Sequence, residues 1–270
     1  INHVVILLLI IYRDSKQIYT KKIKKKIISK SQFLKKKKLW IRNFNKNFNL
    51  KNISKKLYIE SDKHNYSYFF SWQGETILQT PEDIITLQEI ISELKPEVII
   101  EVGVAWGGTM LFYDSLSKQN NIKKIIGIDI YIPKNLKDSI LGKAKSKNIY
   151  LYEEDSTSFK LFKKIKKKIQ NNKRILIHLD RNHTKEHVLK ELNIFSKLCK
   201  KNDVIIVGDT IIEHIPKQKH RLREWSKGNN PKNALDIFLS KNKKFKIDDK
   251  ICDKQMFTNN PKGYIRKIKH

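Results

Sequence analysis

The chain has only two cysteines, Cys199 and Cys252. That is too few for a disulfide framework or a cysteine-rich zinc site, and it fits a reducing, cytoplasmic compartment. Arginine is also scarce, at seven of the 57 basic residues. Arginine is the side chain suited to bidentate phosphate contacts. A net charge of +30 built almost wholly from lysine is therefore weak support for a nucleic-acid surface. Lysine, asparagine and isoleucine are inflated together, as AT-rich codon usage produces, and nucleic acid is set aside as a partner. No bilayer-spanning run is visible: Val4 to Ile11 gives eight apolar residues, where a membrane helix needs about 20. Two phosphate-binding fingerprints are missing as well. There is no G-x-G-x-x-G, and Gly107-Gly108-Thr109 lacks the lysine of a G-x-x-x-x-G-K-[ST] loop.

What is present organises itself around residues 97–109. Val98, Ile99, Ile100 and Val102 form a short apolar run of the kind buried on both faces of a sheet. Gly103 ends it, Gly107 and Gly108 follow, and Thr109 opens an amphipathic segment. This reads as strand, glycine turn, helix, a geometry that lets backbone N–H groups approach a ligand closely. The pattern Glu101-x-Gly103-x-x-x-Gly107 places an acid before the first glycine, which suits a ligand carrying a positive charge or an amine. It resembles the first motif of class I S-adenosylmethionine-dependent methyltransferases, which would put Glu101, Gly103, Val104, Ala105 and Gly107 at the cofactor.

The rest of the chain extends the pattern. Thr80-Pro81-Glu82-Asp83 is a helix start with cap, N1 proline and two acids. The aromatic-dense stretch before it, 66–80, reads as a lid or core plug, with Trp72-Gln73-Gly74 able to touch substrate. Lys124 to Asp129 is a second strand ending in an acid, which in a parallel α/β fold can accept hydrogen bonds from ribose hydroxyls. Ile149 to Tyr152 is a third strand, leading into Asp155 and Ser156 at the expected adenine position.

Two further apolar strands, Arg174 to Asp180 and Asp203 to Asp209, each end in an aspartate. If they are neighbours, Asp180 and Asp209 open into one crevice beyond the carboxyl ends of the strands. Paired carboxylates there can hold a hard cation such as Mg²⁺, which would lower the pKa of a substrate hydroxyl. His183 could then act as general base alongside Asp180. A rival constellation, His178-x-Asp180 plus a further histidine, has the composition of a two-histidine, one-carboxylate iron site. The polar stretch 211–230, with Arg221, Arg223 and Trp225, reads as a substrate cover.

These residues, with Leu179 to Leu192, Asp209-Thr-Ile-Ile-Glu213 and Trp225 to Lys232, resemble the cephalosporin hydroxylase / rhamnosyl O-methyltransferase family over about residues 66–268. The resemblance implies an α/β, Rossmann-like methyltransferase fold, a mostly parallel central sheet with helices on both faces. It implies S-adenosylmethionine as cofactor, Mg²⁺ at Asp180 and Asp209, and a small-molecule or sugar acceptor, as in glycolipid or surface-polysaccharide pathways. Two positions depart from the family pattern. Arg181 replaces a small residue beside the metal and could replace or repel the cation. Gly208 removes a carboxylate, unless Glu213 supplies the third ligand.

The expected organisation is a basic, partly helical or disordered extension over 1–60 and a methyltransferase domain over 61–270. Residues 13–56 have the composition of an exposed arm, and also of a basic amphipathic surface able to contact the inner face of an anionic membrane. The run Val4 to Ile11 reads equally as the tail of a membrane anchor or as an element packed on the domain. The competing function is a non-catalytic methyltransferase-fold module that binds anionic membrane or nucleic acid through its arm; a lesser one is an iron-dependent hydroxylase. Whether the chain forms a homo-oligomer is open at this level.

Overall fold

The computed structural model describes residues 28–269. The run Val4 to Ile11 and the arm up to residue 27 lie outside the described residues. The chain divides into two compact units at Asn47. In the first, helix α1 (Lys30–Asn45) starts at a capping box: Ser29 Oγ accepts from Gln32 N at 3.2 Å, and Gln32 Oε1 accepts from Ser29 N at 2.9 Å. None of its residues is buried. Among the described residues no helix is long and apolar enough to cross a membrane.

The second unit begins at Phe48, so helix α2 (Phe48–Asp62), expected within the extension, belongs to it. The reason is a tether that sequence distance hides. Tyr58 is buried and its hydroxyl donates to Asn259 Oδ1 at 2.8 Å, while Ser54 Oγ donates to Met256 O at 2.6 Å.

A hairpin follows, β1 (Ser71–Trp72) and β2 (Glu75–Thr76), turning at Gln73-Gly74. Then come α3 (Pro81–Leu94), β3 (Val98–Val102), α4 (Gly108–Asn120), β4 (Lys124–Asp129), α5 (Lys134–Lys143), β5 (Ile149–Glu153), α6 (Phe159–Ile169), β6 (Ile175–Leu179), α7 (Lys185–Phe195), β7 (Val204–Val207), α8 (Pro231–Lys241), β8 (Phe245–Ile247), α9 (Asp249–Cys252) and β9 (Tyr264–Lys267). The seven-stranded sheet runs β5-β4-β3-β6-β7-β9-β8; the first five are parallel and β9 is antiparallel to both neighbours.

Side-chain alternation along β3 explains why helices cover both faces. Val98, Ile100 and Val102 join a core with Leu161 of α6, Leu192 of α7 and Phe238 of α8. Ile99 points the other way, into a core with Ile91 of α3 and Met110 and Leu111 of α4. Each such buried isoleucine stabilises the fold by roughly 1.5–3 kcal/mol. The chain leaves β3 toward β4 and β5, then returns to lay β6 on the opposite side of β3. That reversal of strand order opens a crevice at the carboxyl ends of β3 and β6, where α/β sheets bind ligands.

Candidate active site

The crevice is built from the ends of β3, β6 and β7. Asp180 N donates to Val102 O and Gly208 N to Leu179 O, both at 2.8 Å, so the three strands leave the sheet in step. Two glycines make room. Gly103 has φ of +106°, and a Cβ there would lie 2.2 Å from the Asp180 carbonyl oxygen. A Cβ on Gly208 would lie 2.2 Å from Asp180 Oδ1. Gly208 therefore has a positive reason to be glycine: the space a side chain would use holds the Asp180 carboxylate. Asp209 then takes a left-handed conformation at φ 53°, which aspartate tolerates, with its N–H on Asn260 Oδ1 at 2.9 Å.

Asp180, His183 and Asp209 form the one group of acids and histidines among the described residues close enough to share an ion, with ligand atoms within 4.8 Å of one another. His183 lies between the two carboxylates, Nε2 3.3 Å from Asp180 Oδ1 and Nδ1 3.4 Å from Asp209 Oδ2. Nδ1 is buried and makes no hydrogen bond. Gln79 Nε2 donates to the other Asp180 oxygen, Oδ2, at 2.7 Å, leaving Oδ1 for the centre of the group. Trp225 packs edge-on against the His183 ring at 4.9 Å.

The electrostatics follow from this packing. Burial disfavours a charged His183, but Asp209 and Asp180 outweigh it and hold its pKa above the usual value. Burial would raise Asp180, yet the His183 hydrogen bond and the nearby imidazoles bring it below the usual carboxylate range. Asp209, with burial as the larger influence, sits above that range. An acid pair with unequal affinities for protons, a histidine between them and an orphaned ring nitrogen is a donor set that fits a hard divalent cation.

Asp129 lies at the other side of the same cleft. Its Oδ2 accepts from Val104 N at 2.9 Å and Ala105 N at 3.2 Å, and Oδ1 accepts from Ile130 N at 2.7 Å. Arg181 Nε is 3.3 Å from Asp129 Oδ1. The arginine expected beside the cation is instead paired with the acid expected at ribose. Gly103, Ala105, Asp129, Asp180, Arg181, His183 and Asp209 all line one cleft of about 210 Å³.

Other expected site residues lie elsewhere. Glu101 is buried behind the turn, 3.3 Å from His178 Nδ1. Gly107 caps α4 at φ 82° and packs under Ile140. Asp155 caps its own turn through Thr157, and Ser156 is buried, donating to Glu191 Oε1 at 2.6 Å. Glu213 stands outside the cation group; its Oε2 accepts from Gly228 N at 3.0 Å and Asn230 Nδ2 at 2.7 Å, which ties the cover loop to α8. His178 is buried on Glu101 and Tyr113 and does not join the group, so the two-histidine iron geometry is not formed. Trp72 packs on Phe112 at 5.0 Å, and the lid segment reaches the cleft through Ser67, Tyr68 and Leu78 instead.

Sequence reasoning missed Gln79, Tyr58 and Asp62. Gln79 carried no motif signal beyond its place before the Thr80 cap. Tyr58 and Asp62 reach the cleft because α2 folds back onto residues more than 150 positions away.

Comparison with known proteins matches this architecture. A family model described as Rhamnosyl O-methyltransferase/CmcI matches residues 64–268. The rhamnosyl O-methyltransferase of Mycobacterium leprae is 28% identical over 148 residues, 54% of this chain and 62% of that protein. That of Mycobacterium tuberculosis strain H37Rv is 25% identical over 149 residues, 54% of this chain and 59% of that protein. The chain thus spans about three fifths of the length of the curated relatives it matches. A CmcI apo-structure superposes with a TM-score of 0.53 at 18% identity, covering 75% of this chain and 78% of that one, and so shares the fold. The match over residues 64–268 establishes that the chain belongs to the rhamnosyl O-methyltransferase/CmcI family.

Proposed function

We propose that this protein is an S-adenosylmethionine-dependent O-methyltransferase acting on a hydroxyl of a sugar or glycoconjugate, assisted by a divalent cation, with Mg²⁺ the expected one. One observation carries the reading: the Gly103 turn with Asp129 and the Asp180–His183–Asp209 group face the same cleft. A methyl donor and an activated hydroxyl have to meet in such a space.

In this reading the turn 103–105 and Asp129 would hold the donor, with Arg181 beside Asp129. Asp180 and Asp209 would hold the cation, which supplies Lewis-acid polarisation of the acceptor hydroxyl. His183 takes the hydroxyl proton, and the carboxylates on either side stabilise the resulting imidazolium. Gln79 fixes the rotation of the Asp180 carboxylate, and Trp225 fixes the His183 ring. Bound S-adenosylmethionine would supply the methyl group to the acceptor oxygen, leaving S-adenosylhomocysteine. Most of the barrier reduction comes from holding the two reactants in register.

Isothermal titration tests the donor claim. S-adenosylmethionine binds the wild type, and Asp129→Ala weakens it by about tenfold, the worth of a lost charge-assisted hydrogen bond. No heat with the wild type counts against the reading. His183→Gln separates base from ligand: a base loses turnover and keeps Mn²⁺ affinity, whereas a ligand loses both.

A further inference from the structure

The acceptor side of the cleft holds a convergence of positive charge that the chemistry above does not use. Arg221 Nη1 donates to the Tyr68 hydroxyl oxygen at 2.9 Å, and Arg223 Nη2 reaches the same oxygen at 3.4 Å. Two guanidinium groups therefore share one neutral acceptor. Like charges this close repel, and a phenol oxygen offers lone pairs but no compensating charge.

The rest of the cleft relieves this for Arg221 but not for Arg223. Arg181 is paired with Asp129 and Arg221 with Asp62, whose carboxylate also has His220 Nε2 at 3.5 Å. Arg223 has no carboxylate within ion-pair distance among the described residues. Arg221 Nε is buried and has no hydrogen-bond partner. The Arg223 guanidinium lies over the Trp225 indole, 5.1 Å from its centroid, and the same indole packs edge-on against His183. Arg223 and His183, the group assigned to take the hydroxyl proton, thus contact the same indole.

We infer that Arg221, Arg223 and Tyr68 form an oxyanion-binding site, and that the acceptor sugar carries a carboxylate or a phosphate on the side away from the hydroxyl that is methylated. This rests on the function proposed above and names the substrate class within it. The guanidinium fork matches the two oxygens of a carboxylate or phosphate. Stacking on Trp225 keeps the fork in the cleft without an ion pair of its own. An oxyanion between the two arginines would convert their repulsion into attraction and give Arg221 Nε a partner. A neutral sugar would leave Arg223 without a counter-charge.

The test is calorimetric, with S-adenosylhomocysteine present, using glucuronate, glucose 1-phosphate and methyl glucoside as probes. At least one anionic sugar binds about tenfold or more tightly than the neutral glycoside, as hydrogen bonds to charged groups imply. The tighter of the two anionic probes identifies carboxylate or phosphate as the source. In Arg223→Gln the preference falls to about twofold, Arg223→Lys retains part of it, and S-adenosylhomocysteine affinity is unchanged. Equal affinity for all three sugars, no binding of either anionic sugar, or a preference that survives Arg223→Gln overturns the inference. Failure of S-adenosylhomocysteine to bind, with an Arg223-dependent anion preference intact, would instead sink the methyltransferase reading and leave the oxyanion site standing.

Discussion

Two acid–histidine groups meet at the end of β6, with His178 Nε2 3.8 Å from Asp180 Oδ2, yet they differ in exposure. His178 pairs in register with Glu101 across β6 and β3, and both are sealed, 2% and 1% exposed. Asp180 lies just past the last paired residue of β6, and with His183 and Asp209 it lines a cleft. Composition hardly differs; position relative to the strand end does. Inside the strand, neighbours on both sides close over the pair, and burial pushes Glu101 up to about 7. Beyond the strand end no partner strand continues, so the same kinds of side chain meet solvent and can meet a ligand. Only the open cluster lines the cleft in which the proposed chemistry would take place.

Breaking the open cluster should give the largest effect. Asp180→Asn and Asp209→Asn are each expected to lower methyl transfer by about two to four orders of magnitude, the span of a lost acid–base or metal contribution. Thermal melting should move little. EDTA should mimic the loss, and Mg²⁺ should restore it, in a labelled-methyl transfer assay.

A further sealed acid sharpens the contrast through pH. Burial pushes Asp83 up to about 6, although Thr80, Thr258 and Asn259 donate to it. Its folded pKa is raised above the unfolded value, so its stabilising contribution is complete below about pH 4 and is lost as pH rises through 6. The loss is on the order of 3 kcal/mol. Urea titrations across that window should show Asp83→Asn with a shallower decline than the wild type; parallel curves would contradict the assignment.

Glu101→Ala probes the sealed pair itself. It leaves His178 Nδ1 with Tyr113 alone, and should cost about 1–3 kcal/mol of stability. S-adenosylmethionine affinity should change by less than about threefold, because a group acting through packing moves the melting curve before it moves a Kd. The reverse outcome would place Glu101 at the cofactor directly.

The smallest effects test the support of the open cluster. Gly208→Ala puts a methyl into the space of Asp180 Oδ1, and Gln79→Leu releases Oδ2. Each should weaken Mn²⁺ binding by about tenfold, in the range seen when outer partners of ligands are lost.

Much of this arrangement is legible in residue order. Val98 to Val102, Ile175 to Leu179 and Val204 to Val207 announce strands buried on both faces, because a parallel sheet between helix layers needs no polar alternation. Asp129 ends β4, Asp180 and Asp209 come just after β6 and β7, and the three share a cleft. The acceptor side is less legible. Most of α2, Tyr58 included, falls within the extension read over residues 1–60, and Asp62 falls just past it with no motif signal. Their role appears only when Asn259, Gln218 and Arg221 come to meet them. Gly208 reads as a missing ligand, whereas the fold uses it as space for Asp180. Arg181 reads as a threat to the cation because sequence adjacency to Asp180 hides its reach to Asp129.

The central claim is that methyl donor and cation occupy one cleft at the ends of β3, β6 and β7. Paramagnetic broadening by Mn²⁺ of the ¹³C-methyl resonance of S-adenosylmethionine bound to the protein tests it most directly. Strong broadening in the wild type, lost in the Asp180→Asn/Asp209→Asn double variant, is the predicted result. A bound methyl resonance that stays sharp while Mn²⁺ is also bound would contradict it.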